Sequence, residues 1–310
     1  MVLHVLNGDA TVAVFDQAGI SGERLVWRDI VVEGPVPSVA HTPLAGRAAY
    51  LAERLGIDAA EYARATAEQT SRLAATCRDD EVVLWFEQDL FCAVTLWSLL
   101  DWFTRHAPTP RLSLVYPASD TDARGLGGLG PSRLTELFAA RAAVTEATRT
   151  LGVQAWAAYA SLDPMPAQAF VGRTAVALPF LDGAFRCHLG RFPSVATGLN
   201  EVETATLQVL SGGARGFGDL FREVGSHPRV VRHGMGDVQF AACLRRLTPL
   251  VRVADDHHEI TARGRVVLAG EEDWLGVQPI DTWLGGVHLR RDRPLWRWDA
   301  ARGCLVSAPS

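Results

Sequence analysis

Three short stretches place acidic and amide side chains where a ligand could meet them. Asn7, Gly8 and Asp9 close one apolar run, Asp29 and Glu33 follow a second, and Glu87 and Asp89 follow a third, EVVLWF. Converging carboxylates support two kinds of chemistry. They can raise one pKa to leave a general acid or base, or they can hold a hard divalent cation such as Mg²⁺ or Mn²⁺. Asp9, Glu87 and Asp89 are the catalytic candidates in either role. His4, Asn7 and the backbone of Gly8 would orient the ligand, with Asp29 and Glu33 beside them. The competing reading makes Asp9 and Asp89 helix N-caps without chemistry, and His4, inside a strand, more often a satisfied core histidine than a functional group. The identity of any metal stays open at this level.

Cationic work falls to arginine, because all 30 basic residues are arginine and the chain has no lysine. That excludes a lysine-bearing phosphate loop, a pyridoxal Schiff base and a lysine general base. Arg28, next to Asp29, and Arg47 in the following helix are the candidates to grip a phosphate or carboxylate through bidentate hydrogen bonds. Structural ion pairing is the alternative for both. Residues 1–196 carry 16 Arg against 21 Asp and Glu, and 197–310 carry 14 against 14. The acidic front half argues against a nucleic acid groove there.

Other signals point away from known chemistries. Gly125-Leu126-Gly127-Gly128-Leu129-Gly130 matches G-x-G-x-x-G, yet seven residues separate it from the preceding strand, and helix follows helix after it. A loop or lid over the strand ends, with Pro131 opening a helix, suits it better than a dinucleotide turn. The histidines lack metal-ligand spacing, His257 and His258 falling in an expected turn and Asp237 capping a helix. The five cysteines, Cys77, Cys92, Cys187, Cys243 and Cys304, are scattered without a C-x-x-C pair, which suggests reduced thiols. The first residues enter a strand and show no basic n-region, so no signal peptide is expected. The longest apolar stretch, Leu90 to Leu100, is about half a membrane span. A soluble, cytoplasmic protein is the expectation.

The elements that must position these residues alternate. Strands are expected at 2–6, 24–27, 81–86 and 111–116, with helices at 44–55, 58–76 and 89–103 between them. Such alternation predicts a Rossmann-like α/β domain over 1–117, whose parallel sheet gathers all the carboxylate-bearing strand ends on one edge. A region helical throughout is expected over 118–196, with Trp156, Phe170, Phe180 and Phe185 in its core. Over 197–270, an Asn200-capped helix, helices near 216–224 and 236–247, and a hairpin reaching Leu268 spell a winged-helix-like domain. Arg245 and Arg246 lie late in its third helix, while the leading end, Gly236-Asp237-Val238-Gln239-Phe240, is acidic and apolar. That favours a protein or intramolecular contact over DNA reading. Four of the nine tryptophans fall in 271–310, read as a β-rich tail.

The strings His4-Val5-Leu6-Asn7-Gly8-Asp9, Trp27-Arg28-Asp29, Glu33-Gly34-Pro35-Val36-Pro37 and Trp85-Phe86-Glu87-Gln88-Asp89-Leu90-Phe91 together resemble a bacterial family, domain of unknown function 1835. The resemblance extends through Leu178-Pro179-Phe180, Thr197-Gly198-Leu199 and Gly236-Asp237-Val238-Gln239-Phe240. It implies that the Asn-Gly-Asp, Arg-Asp, Glu-Gly-Pro and Glu-x-Asp segments belong to one site, and it names no reaction. The expected function is therefore an enzyme acting on a nucleotide or other phosphorylated small molecule by hydrolysis or group transfer. A ligand-sensing regulator that binds DNA or a protein partner, and a purely structural interaction protein, are the alternatives.

Overall fold

Four apolar runs pair side by side as parallel strands in the computed structural model, which describes residues 1–36, 44–77, 80–106, 110–117 and 125–308. They are β1 (Val2–Asn7), β2 (Glu23–Trp27), β3 (Glu81–Trp85) and β4 (Arg111–Val115); a short β5 (Ala142–Ala143) adds antiparallel to β4. The spatial order is β2-β1-β3-β4-β5. After β1 the chain leaves for one side and after β2 it returns to the other. The crevice outside the carboxyl ends of β1 and β3 is therefore a topological switch point, where open α/β sheets hold ligands.

Side chains alternate across this sheet with the period of two that a strand requires. Leu3, Val5, Val82 and Leu84 face one layer of helices, while Leu6, Val83 and Trp85 face the other. The helices are α1 (Val12–Ala18), α2 (Leu44–Leu55), α3 (Ala59–Ala74), α4 (Leu90–Arg105), α5 (Pro131–Ala139) and α6 (Glu146–Tyr159). α1 packs with α5 on one face, and α4 with α6 on the other. α4 is apolar on nearly every side because it lies between the sheet and α6. Trp97 stacks on Phe185 at 4.7 Å, joining α4 to later helices. Each large apolar side chain buried in this way contributes about 1.5–3 kcal/mol.

The chain continues through α7 (Met165–Gln168) and α8 (Leu181–Leu189) to α9 (Glu201–Ser211), α10 (Phe217–Gly225) and α11 (Asp237–Arg246). Asn200 caps α9 in a full capping box with Glu203. A small antiparallel sheet of β6 (Arg215–Gly216), β7 (Val251–Ala254) and β8 (His257–Ile260) runs in the order β6-β8-β7. After α12 (Ala262–Leu268) and α13 (Trp274–Val277) come two hairpins, β9 (Asp281–Leu284) with β10 (Val287–Arg290) and β11 (Leu295–Asp299) with β12 (Cys304–Ala308). The protein is thus mixed α/β with a mostly parallel main sheet. No helix among the described residues is long and apolar enough to cross a membrane. All five cysteines are free thiols.

Several local expectations are corrected. The stretch 131–192 is not helical throughout, since β5 interrupts it on the free edge of β4. The second hairpin strand ends at Ile260 rather than Leu268, because the Thr261 hydroxyl accepts from the Gly264 amide and starts α12. The β-branched pair Val266-Val267 misleads there, Val267 being buried on a helix face. His257 and His258 lie in β8, and the turn falls on Asp255 and Asp256, both with positive φ. Gly236, not Asp237, occupies the N-cap of α11.

Candidate functional site

The switch-point crevice is a real cleft of about 380 Å³. Its floor is Asn7 from the end of β1, Glu87 and Asp89 from the β3–α4 connection and Cys92 in the first turn of α4; Met235 ahead of α11, with Val238 and Gln239 in its first turn, closes the opposite wall. The α4 helix starts here because the Asp89 side chain accepts from the Cys92 amide at 2.7 Å. Asp89 is therefore a cap, as the competing reading had it, and also part of the cleft.

Burial pushes the Asp89 pKa from its ordinary 3.8 up to about 7; the neighbouring Glu87 adds to the rise, while the Cys92 amide and Arg232 oppose it. Glu87 is raised as well, chiefly by burial, against one hydrogen bond from the Leu126 amide at 2.7 Å. Two carboxyls with different environments give the unequal acidities that acid–base chemistry needs. Asn7 supplies the third polar group. Its Nδ2 donates to Cys92 Sγ at 3.0 Å, while Oδ1 is buried with no hydrogen-bond partner among the described residues. Exchanging the amide oxygen and nitrogen would only leave the other atom unpaired. An orphan amide atom costs about 1–3 kcal/mol, which a ligand hydrogen bond would relieve.

Two glycines let backbone close on the two carboxyls. Gly125 has φ +70° and a Cβ there would overlap Glu87 Oε2; Gly234 has φ +64° and its Cβ would come within 2.6 Å of Asp89 Oδ1. The glycine-rich turn thus caps Glu87, with Leu126 buried beneath it. The linker 118–124 ahead of it, like Pro37, lies outside the described residues. Gly125→Ala is expected to lose about 1–2 kcal/mol from the left-handed backbone alone. A lower urea midpoint at constant m-value would register that loss; an unchanged midpoint would mean the turn relaxes without cost.

The remaining predicted residues do not join the cleft. His4 is a core histidine: Nδ1 accepts from Trp85 Nε1 at 3.1 Å, Nε2 donates to the Ser21 carbonyl at 3.1 Å, and burial lowers its pKa. Arg47 is fully buried and donates to Tyr62, Asp29 and the carbonyls of Ile30, Glu33 and Pro35. No donor is left for an anion, and Asp29 is spent on Arg47 and Tyr62. Glu33 accepts from Arg191 and Gln239 and faces a separate cavity of about 110 Å³. Asp9 forms an exposed bidentate pair with Arg28, whose hydrogen bonds hold its carboxyl below the usual range. A base is needed near neutrality, and that pairing removes Asp9 from the role. Gly8 follows Asn7 directly, its amide donating to the Trp27 carbonyl at 2.9 Å.

Cys92, Gly234, Met235 and Gln239 were not anticipated in the site. Cys92 carried a signal, standing three residues after a capping Asp89, where a side chain in the first turn faces the strand ends. The others come from more than 140 residues away in sequence and could be placed only by the tertiary fold. Among the described residues, no three His, Cys, Asp or Glu side chains are grouped to hold a metal. The protein's share of a Mg²⁺ or Mn²⁺ site in the cleft would be limited to Glu87, Asp89 and the Asn7 amide. No protein-family model and no curated protein matches this chain.

Proposed function

We propose that the protein is an enzyme performing hydrolysis or group transfer on a small molecule in the cleft between the ends of β1 and β3. The carrying observation is the pair Glu87 and Asp89, both shifted toward neutral pH, beside the unpaired Asn7 amide. Asp89 would exchange the proton, Glu87 would support the opposite charge state, and Asn7 would fix the ligand's orientation. The acidic floor repels anions. A phosphorylated substrate, the class suggested by sequence, would therefore keep its phosphate at the mouth, toward Gly8 and Arg28. Arg28 is exposed, although already engaged by Asp9.

The same proposal takes the main sheet as Rossmann-like, supported by its β2-β1-β3-β4 order. It takes 197–270 as winged-helix-like, supported by three helices with the β6-β8-β7 sheet. That unit would serve as a wall of the cleft rather than a DNA reader. Its third helix, α11, packs on α2, with Gln239 bound to Glu33, Arg245 to the Arg54 carbonyl and Arg246 to Glu203. The exposed leading end of that helix, Asp237 and Val238, carries no positive charge to set against phosphates. The resemblance to the domain of unknown function 1835 family belongs to this proposal too. Three of its strings, at 4–9, 85–91 and 236–240, all contribute to the cleft lining.

The test is a thermal-shift panel of nucleotides and sugar phosphates, with and without Mg²⁺ or Mn²⁺, on wild type, Asp89→Asn and Glu87→Gln. A native-state ligand at a hundredfold excess over its Kd stabilises by about 2.7 kcal/mol. A shift lost in either carboxyl variant, followed by turnover that the variants abolish, is the expected outcome. A panel in which every shift survives both substitutions would place those ligands elsewhere and defeat this reading of the cleft.

A further inference from the structure

Arg28 and Arg47, the arginines expected to meet an anion, both sit on carboxylates. Two others do not. Among the described residues neither Arg54, in the last turn of α2, nor Arg245, in the last turn of α11, has an ion-pair partner. Both line one groove of about 570 Å³, together with Arg246. The Arg245 Nη2 donates to the Arg54 carbonyl at 2.9 Å, one of the orphan carbonyls that end α2, which holds this guanidinium in place.

The opposite wall is aromatic. Trp283 of β9 stacks on the His288 ring of β10 at 4.2 Å and 12°. His288 Nε2 is in turn fixed to Asp281 Oδ1 at 2.6 Å, so the indole is backed by a held ring. Tyr50 hydroxyl meets Thr282 Oγ1 at 3.5 Å and ties α2 to the hairpin. Two carboxylates also line the groove: Asp281 is engaged by His288, and Glu53 is exposed on α2.

We infer that this groove is a second binding site, for a phosphate carried on an aromatic ring, of which a nucleoside monophosphate is the simplest example. The phosphate would lie on Arg54 and Arg245, where planar guanidinium forks match its oxygens. The ring would lie against the half-buried Trp283, whose flat apolar surface suits any base. Arg246 is paired with Glu203 and Asp281 with His288, which leaves Arg54 and Arg245 against the one exposed carboxylate of Glu53, an excess of positive charge that a dianion satisfies. The site is distinct from the carboxylate cleft and does not depend on its function. The α11 helix runs between them, with Val238 and Gln239 at the cleft and Arg245 and Arg246 at the groove.

Isothermal titration of the full chain with AMP, GMP, CMP and UMP, and with inorganic phosphate and adenosine separately, tests this. At least one nucleotide is expected to saturate with Kd below about 1 mM, more tightly than phosphate or the nucleoside alone. Arg54→Gln and Arg245→Gln, both surface changes, are each expected to weaken it about tenfold or more. Trp283→Ala should weaken the nucleotide while leaving phosphate binding unchanged, and Trp283→Phe should restore most of the loss. Asp89→Asn should leave the Arg54- and Arg245-dependent component of the titration unaltered, removing only any binding in the carboxylate cleft. If no nucleotide saturates, the inference fails. It also fails if binding survives Arg54→Gln and Arg245→Gln together, or is abolished by Asp89→Asn, which would assign the ligand to the cleft.

Discussion

Arg47→Met is expected to destabilise the protein by about 3–5 kcal/mol, the loss typical when one partner of a buried ion pair is removed. Arg47 is 2 % exposed and Asp29 8 % exposed, so neither charge has water to fall back on. The guanidinium satisfies Asp29 Oδ1 at 3.0 Å, the Tyr62 hydroxyl at 2.8 Å and three carbonyls of the loop after β2. Methionine fills much of the same space but leaves those acceptors unpaired and Asp29 ionised in the interior. The double variant Arg47→Met with Asp29→Asn should recover part of the loss, because the stranded charge is gone. Urea unfolding reads both. A cost below about 1 kcal/mol for Arg47→Met would mean that the loop is held by other contacts. The consequence reaches the cleft, since this loop carries Ile30 into its lining.

Asp89→Asn is expected to make the protein more stable at pH 8 and nearly unchanged at pH 4, while removing the proposed activity. Asp89 titrates near 7 in the folded protein and near 3.8 when unfolded. Between those values the native state holds a proton that the unfolded chain releases, so stability falls as pH rises through the interval. Above pH 7 the ionised carboxylate penalises the fold by on the order of 2–4 kcal/mol. Asparagine carries no charge to penalise and still caps α4, because its Oδ1 can accept from the Cys92 amide. The variant's stability profile should therefore be flatter than wild type across pH 4–8. Glu87, also raised by burial, leaves a smaller slope of the same sign. On the proposed acid–base chemistry, loss of Asp89 as proton carrier should slow turnover by about 10²–10⁴-fold. Parallel pH profiles for wild type and variant would show that Asp89 has ordinary acidity, and the acid–base proposal would lose its central group.

Much of this was legible from local pattern. EVVLWF could only be a buried strand, and Asn200 with Glu203 could only open a helix, because periodicity and capping act within a few residues. Alternation of strands and helices was enough to predict a largely parallel sheet, and with it the convergence of Asn7, Glu87 and Asp89 at one edge. Which polar side chains were free to act was a different matter. Arg28 and Arg47 look alike in sequence, yet one lies on the surface and the other is sealed beneath a loop by Tyr62, a residue of α3. For His4 a place inside a strand already favoured a core histidine over a ligand group, but its partner, Trp85 of the neighbouring strand, appears only in the fold. The far wall of the cleft comes from the approach to α11 and its first turn, and the Arg54–Arg245–Trp283 groove joins three segments remote in sequence. Secondary structure follows from short-range sterics and hydrogen bonding, which the sequence carries openly. A side chain's protonation and availability depend on burial and on long-range partners, and those exist only once the chain has folded.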